Sequence, residues 1–200
     1  MKTDEYEIEV GFPSFWPNAV KEYRKFFEVG TRLNTALISV TDIAYPALSA
    51  REVAIMNLSI LAGITMTEIV TLVANGMGHG AMKLMRSLLE TSINTEYLRL
   101  RPLEYEDYKE WFWIEQYKEL EYIRKNVPEA LARYTPERVK KVEDNRKRVL
   151  PRFQKTKRNG TKELRRSWCS INLGDRAKIT GHQTIYHALT RMHLGLSTAQ

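Results

Sequence analysis

The chain has 200 residues, 43% of them hydrophobic and 28% charged, with ten glycines and seven prolines. That balance fits one ordinary helix-rich domain or two very small ones, and argues against a disordered chain, a large multidomain enzyme or a membrane channel. The formal charge of +7 is concentrated, because between Arg133 and Arg166 fourteen basic residues stand against four acidic ones and set the sign of the whole.

Residues 1 to 16 read as an irregular lead segment with Phe12, Phe15 and Trp16 as anchors. Its first ten residues carry four acidic side chains and lack the basic flank and apolar centre of a secretory signal, so a cytoplasmic setting is expected. Pro17 suits the first turn of a helix. From there to about Tyr45 the residues Val20, Tyr23, Phe27, Leu33, Leu37, Val40 and Ala44 recur at amphipathic spacing, and Pro46 ends or bends the helix. Ser49 and Glu52 form a capping-box pattern for a second helix to about Ala74. That helix is apolar on nearly all sides, as expected of a central buried element. Its uncharged run from Val53 to Thr67 has 15 residues, short of the roughly 20 that span a bilayer, so no integral membrane association is expected.

Asn75-Gly76-Met77-Gly78 reads as a connection to a third helix from about His79 to Leu100. Pro102 follows, then a fourth helix from Leu103 to about Asn126, with Trp111, Ile114, Tyr117 and Leu120 at helical spacings. Pro128 and Pro136 divide it from a basic helix, about Glu137 to Val149, with a thin stripe of Val139, Val142 and Val149. Residues 150–167 read as a basic loop with Asn159-Gly160 as its turn. Apolar character resumes at Trp168, Ile171 and Leu173, and a last short helix is expected from about Gln183 to Leu194. Strand-period alternation is almost absent. The economical assembly is all-α: a single domain over residues 17–200, built as an antiparallel bundle of four long helices plus a short C-terminal one. Seven residues follow His193, which fits a shortened final element or one completed by a partner subunit.

The third helix carries the most specific pattern. His79, Lys83, Arg86, Glu90, Asn94 and Tyr97 follow one another at steps of four, three, four, four and three, which makes one polar stripe beside an apolar one. Arg86 and Glu90 lie within pairing reach. The stripe reads as a solvated face with an incidental ion pair, as an internal polar seam, or as a direct ligand contact. At the C-terminal end Tyr186, Thr190 and His193 share one helical face, and His187 and Arg191 another. A histidine moves protons near neutral pH, and an arginine stabilises phosphate charge.

The four histidines lack metal-ligand spacing, and HExxH is absent, so no metal or other cofactor is expected. The single cysteine, Cys169, excludes an internal disulfide and reads as a packing residue beside Trp168. Gly76-Met77-Gly78-His79-Gly80 lacks the strand and spacing of a dinucleotide fingerprint and reads as a tight turn. Trp111, Trp113, Tyr117 and the neighbouring tyrosines read as core packing, with base stacking as the functional alternative. Arg146, Lys147, Arg148, Arg152, Lys155, Lys157, Arg158, Arg165 and Arg166 read either as a solvated face or as a surface that gathers phosphate.

Leu84-Met85-Arg86-Ser87-Leu88-Leu89-Glu90, then Pro102, then Trp168 leading to the run from Tyr186 to His193, together resemble a bacterial family of unknown function, number 5677, of HEPN-like helical proteins. The likeness covers about residues 50 to 195. It implies that Arg86 and Glu90 are paired polar residues on an inner helix which His193 approaches from the last helix. HEPN-like proteins occur in toxin and phage-defence settings, and several branches are ribonucleases with an Arg-polar-x(3 to 5)-His motif. In this sequence the polar residue expected directly after the arginine is missing. Arg176 to His182 has the right separation, yet Ala177 holds the second place and Gly181 intervenes, while Arg191 to His193 is too close. The implied activity is metal-independent cleavage of single-stranded RNA, with His193 moving the proton of a ribose 2′-hydroxyl. Arg86 or Arg191 would stabilise phosphate charge and Glu90 would orient Arg86. The alternative is a non-catalytic helical interaction or assembly module, and a homodimer or a heteromeric protein partner is compatible with both.

Overall fold

A computed structural model describes residues 13–41 and 48–197, with the backbone alone described for 13, 37–38, 40–41 and 192–197. Phe12, Ala44, Tyr45 and Pro46 lie outside the described residues. The protein is predominantly α-helical: α1 (Trp16–Glu22), α2 (Arg24–Thr41), α3 (Ala50–Ala74), α4 (Gly78–Leu100), α5 (Tyr105–Asn126), α6 (Pro136–Val149), α7 (Leu173–Ile179) and α8 (Gln183–Ser197). Two short strands, β1 (Gln154–Thr156) and β2 (Lys162–Leu164), interrupt the helical order. The chain gathers into two compact units, one of residues Met1–Arg99 with Arg176–Gln200, the other of Leu100–Asp175.

In the first unit the expected single helix from Pro17 is broken at Tyr23, whose backbone (φ −108°, ψ 33°) leaves the helical region. The break separates two tasks. Before it, Trp16 donates from Nε1 to Asn75 Oδ1 at 3.1 Å, and Phe15 lies against Gly76. After it, α2 runs along α3, so closely that a Cβ on Gly30 would stand 2.7 Å from a methyl of Val70.

The start of α3 is the capping box read from sequence: Ser49 Oγ accepts from the Glu52 N–H, and Glu52 Oε2 accepts from the Ser49 N–H at 2.8 Å. Its end is a Schellman turn, in which the Met77 N–H reaches Leu72 O and the Gly76 N–H reaches Val73 O. Gly76 sits at φ 70°, where a side chain would be strained. Between these ends α3 departs from expectation. Only 17% of its most apolar window is buried, with Gly63, Thr65, Ile69 and Ala74 turned inward. α4 buries Ala81, Leu89, Ile93, Tyr97 and Leu98, so Tyr97, placed by spacing on the polar stripe, belongs to the core.

In the second unit α5 buries Trp111, Ile114 and Leu120, and α6 packs on it through Val142 and Val149. Phe153 is fully buried with its ring edge-on to Trp111, and Trp168 meets Tyr108 in the same way. Burial raises the Tyr108 hydroxyl above its ordinary pKa. Cys169 is buried, in keeping with a packing role. The expected basic loop over 150–167 is instead a 3-10 turn, Leu150–Phe153, followed by an antiparallel hairpin that pairs Gln154 with Leu164 and Thr156 with Lys162. Asn159-Gly160 does form its turn, where Asn159 Oδ1 accepts from both the backbone and the hydroxyl of Thr161. The strands escaped sequence analysis because Lys155, Thr156 and Lys162 are all exposed and Leu164 is the single apolar residue of the two, so no alternation shows there.

Candidate functional site

The first half of the polar stripe of α4, from His79 through Lys83 to Arg86, turns outward. Arg86 Nε donates to Glu90 Oε1 at 3.0 Å, and the two side chains remain 60% and 41% exposed. Of the three readings that spacing left open, these positions hold the first, a solvated face with an ion pair, rather than the inner helix that the resemblance implies. α8 does approach it: Arg86, Leu89 and Glu90 share a shallow crevice with Tyr186, Leu189 and Thr190. Arg191 is exposed on α8, and His187 is exposed with its Nε2 3.5 Å from Gln183 Nε2. The side chain of His193 lies outside the described residues. α4 and α8 thus lie close together at Arg86 and Glu90.

A deeper polar cluster lies further along α4. Arg176, on α7, is 5% exposed, and its Nη1 donates to Asn94 Oδ1. α7 ends in a second Schellman turn, with the His182 N–H on Ala177 O at 2.7 Å and the Gly181 N–H on Lys178 O, and Gly181 holds φ 76°. The glycine that interrupts the helix pattern in the sequence is the device that turns the chain and sets His182 beside α7.

Thr180 Oγ1 donates to Arg176 O at 3.0 Å and lies 2.9 Å from His182 Nδ1. A hydroxyl has one proton: given to the carbonyl, it leaves the oxygen to accept from Nδ1–H with the basic lone pair on Nε2; given to Nδ1, it puts the ring proton on Nε2. Glu96, on the same helix as Asn94, has its carboxyl held below the ordinary range mainly by the hydrogen bond from Arg99, with a smaller contribution from His182. Spacing had put Asn94 on the α4 stripe and Arg176 six residues before His182, while Glu96 and Thr180 carried no signal in the sequence.

In the second unit most of the basic block is already engaged. Arg148 Nη2 pairs with Glu110 at 2.6 Å, Arg152 pairs with Asp107, and Arg165 stands 3.8 Å from the same carboxylate. Lys155 and Lys157 share Glu163 at 3.7 and 3.4 Å. Arg146 stacks over Tyr117 at 4.1 Å. Lys147, Arg158 and Arg166 are exposed. Asp107 and Glu110, in the first two turns of α5, are thus internal counterions of Arg148, Arg152 and Arg165.

Beside it, Phe112, Trp113, Gln116, Glu137, Arg138, Lys141 and Val142 line an open concavity between α5 and α6. No group of three or more His, Cys, Asp or Glu able to hold a metal occurs among the described residues.

A further surface feature is α3. Leu61 and Ile64 are 50% and 53% exposed, and Val53 is exposed above them. It is the one helix among the described residues long and apolar enough to cross a membrane by length and composition.

Residues 54–191 match the model of a family of unknown function, DUF5677, which covers more than half of the chain. The chain belongs to that family. No curated protein and no solved structure matches it.

Proposed function

We propose that this DUF5677 protein is a helical protein-interaction or assembly module rather than an enzyme. One observation carries this reading: α3 keeps Leu61 and Ile64, with Val53 about two turns before them, in solvent although its sequence is that of a buried helix. An apolar surface kept in solvent marks a site of contact with another macromolecule. The charge distribution supports the same reading. Arg86 and Glu90 neutralise each other in solvent, and much of the basic block is paired within its own unit, which leaves fewer cations to gather phosphate than the sequence promises.

Dye binding tests the module. The dilute native chain binds a probe for apolar surface, and Leu61→Gln with Ile64→Gln removes most of that signal while the helical spectrum is retained, since exposed positions cost within about 0.5 kcal/mol. Dye binding unchanged by the double substitution contradicts the reading.

A second reading, an RNA-directed HEPN-like ribonuclease of a defence or toxin system, is favoured by the Arg176 and His182 pair. Arg176 is buried, and Thr180 links its backbone carbonyl to the His182 ring, two residues whose sequence separation is the one that the HEPN-like motif implies. On this reading unstructured RNA is cut without divalent metal, and His182→Ala abolishes cleavage. Loss in His193→Ala instead assigns the proton transfer to α8 with Arg86 or Arg191. Intact RNA with the wild-type chain removes the second reading.

A further inference from the structure

The exposed face of α3 has a regular period. Asn57, Leu61, Ile64, Glu68 and Thr71 recur at steps of four, three, four and three, and all five are exposed. This is the spacing of a seam between two helices, with Leu61 and Glu68 equivalent to one another and Asn57, Ile64 and Thr71 equivalent to one another. Val53 extends the seam toward the N-terminus, and the buried residues Gly63, Thr65, Ile69 and Ala74 lie off it. The stripe is short, apolar at its centre and polar at both flanks.

The two flanks are not alike, and their difference selects the occupant. Resting on the interaction-module reading, we infer that α3 pairs antiparallel with α3 of a second copy of this chain, about a two-fold axis between Ala62 and Gly63. In that register Leu61 of each copy meets Ile64 of the other, so the apolar pairs fall at the centre. Asn57 of each copy meets Glu68 of the other, so an amide donor faces a carboxylate twice by symmetry. Thr71 falls opposite the small Ala54. A parallel pairing would set Glu68 against Glu68, a like-charge contact within the seam, and the same carboxylate would sit without a partner in the hydrocarbon of a bilayer. The sequence of α3 is thus complementary to its own reverse.

Sedimentation equilibrium of the full-length chain tests both the pairing and its register. The wild type associates to twice the 23.3 kDa of one chain. Asn57→Lys places a cation opposite Glu68 at two symmetric positions and lowers Kd roughly 2- to 30-fold, the effect of two ion pairs of ordinary strength. Asn57→Glu raises Kd by a similar factor, and adding Glu68→Lys to it restores the affinity. Weaker association of Asn57→Lys overturns the antiparallel register. A chain that stays at 23.3 kDa overturns self-pairing; if it still binds the apolar-surface dye through Leu61 and Ile64, the module reading survives with a different partner. A monomer that sediments with phosphatidylcholine vesicles and is released by Ile64→Lys overturns self-pairing in favour of a lipid surface.

Discussion

Two arginines on the polar side of the first unit have opposite surroundings. Arg86 pairs with Glu90 in solvent, whereas Arg176 is buried with Asn94 accepting from its guanidinium. Removing a partner from a buried charge costs far more than breaking an exposed pair. Asn94→Ala is expected to lower unfolding free energy by about 1.5–3 kcal/mol, and Glu90→Ala by no more than about 0.5 kcal/mol. Urea denaturation of the two variants checks this, and equal costs would refute the contrast. Spacing along α4 placed Arg86, Glu90 and Asn94 on one stripe and had no means of ranking them. What distinguishes Asn94 is a partner 82 residues away in sequence, and helical periodicity carries no information about which element arrives on a face.

Helix ends were the most legible elements, because their chemistry is local. Ser49 and Glu52 form the box their spacing predicted, Asn159-Gly160 turns the chain, and Pro17 lies in the first turn of α1. The break at Tyr23 and the hairpin at β1 and β2 were not legible, since no proline or glycine marks the first and the second carries exposed polar strands.

Two predictions belong at this scale. Gly181→Ala forces a side chain into the left-handed region and costs about 1–2 kcal/mol, read as a lower denaturation midpoint; an unchanged midpoint would argue against the Schellman turn. The Glu52 carboxyl is held below the ordinary glutamate range, first by the Ser49 side chain and then by its backbone. A group whose folded pKa is depressed contributes stability above its unfolded pKa and loses it as pH falls through the folded one. Ser49→Ala therefore lowers Tm at neutral pH, and the gap to wild type narrows in acid. A gap that is constant from neutral to acidic pH would contradict the capping role.

At the scale of the whole molecule, composition correctly indicated a helical protein and located the charge surplus. It did not show that α5 supplies the counterions, because Asp107 and Glu110 precede Arg148 and Arg152 by about forty residues and only the fold joins them. If those pairs quench the basic block, Asp107→Asn with Glu110→Gln frees Arg148, Arg152 and Arg165. The double variant should then bind single-stranded polyuridylate more tightly, with a steeper dependence on salt. An unchanged salt slope would show that the block is already free in solution.

The apolar content of α3 was equally visible in the sequence and was assigned to a buried core. Hydropathy records that a helix avoids water and leaves open whether its own chain or a neighbour supplies the cover. The mass of the chain across a concentration series, compared with that of Leu61→Gln/Ile64→Gln, decides between these most directly. Self-pairing through α3 predicts that the wild type rises from 23.3 kDa toward twice that value while the double variant stays at 23.3 kDa. Identical curves for the two proteins would contradict it.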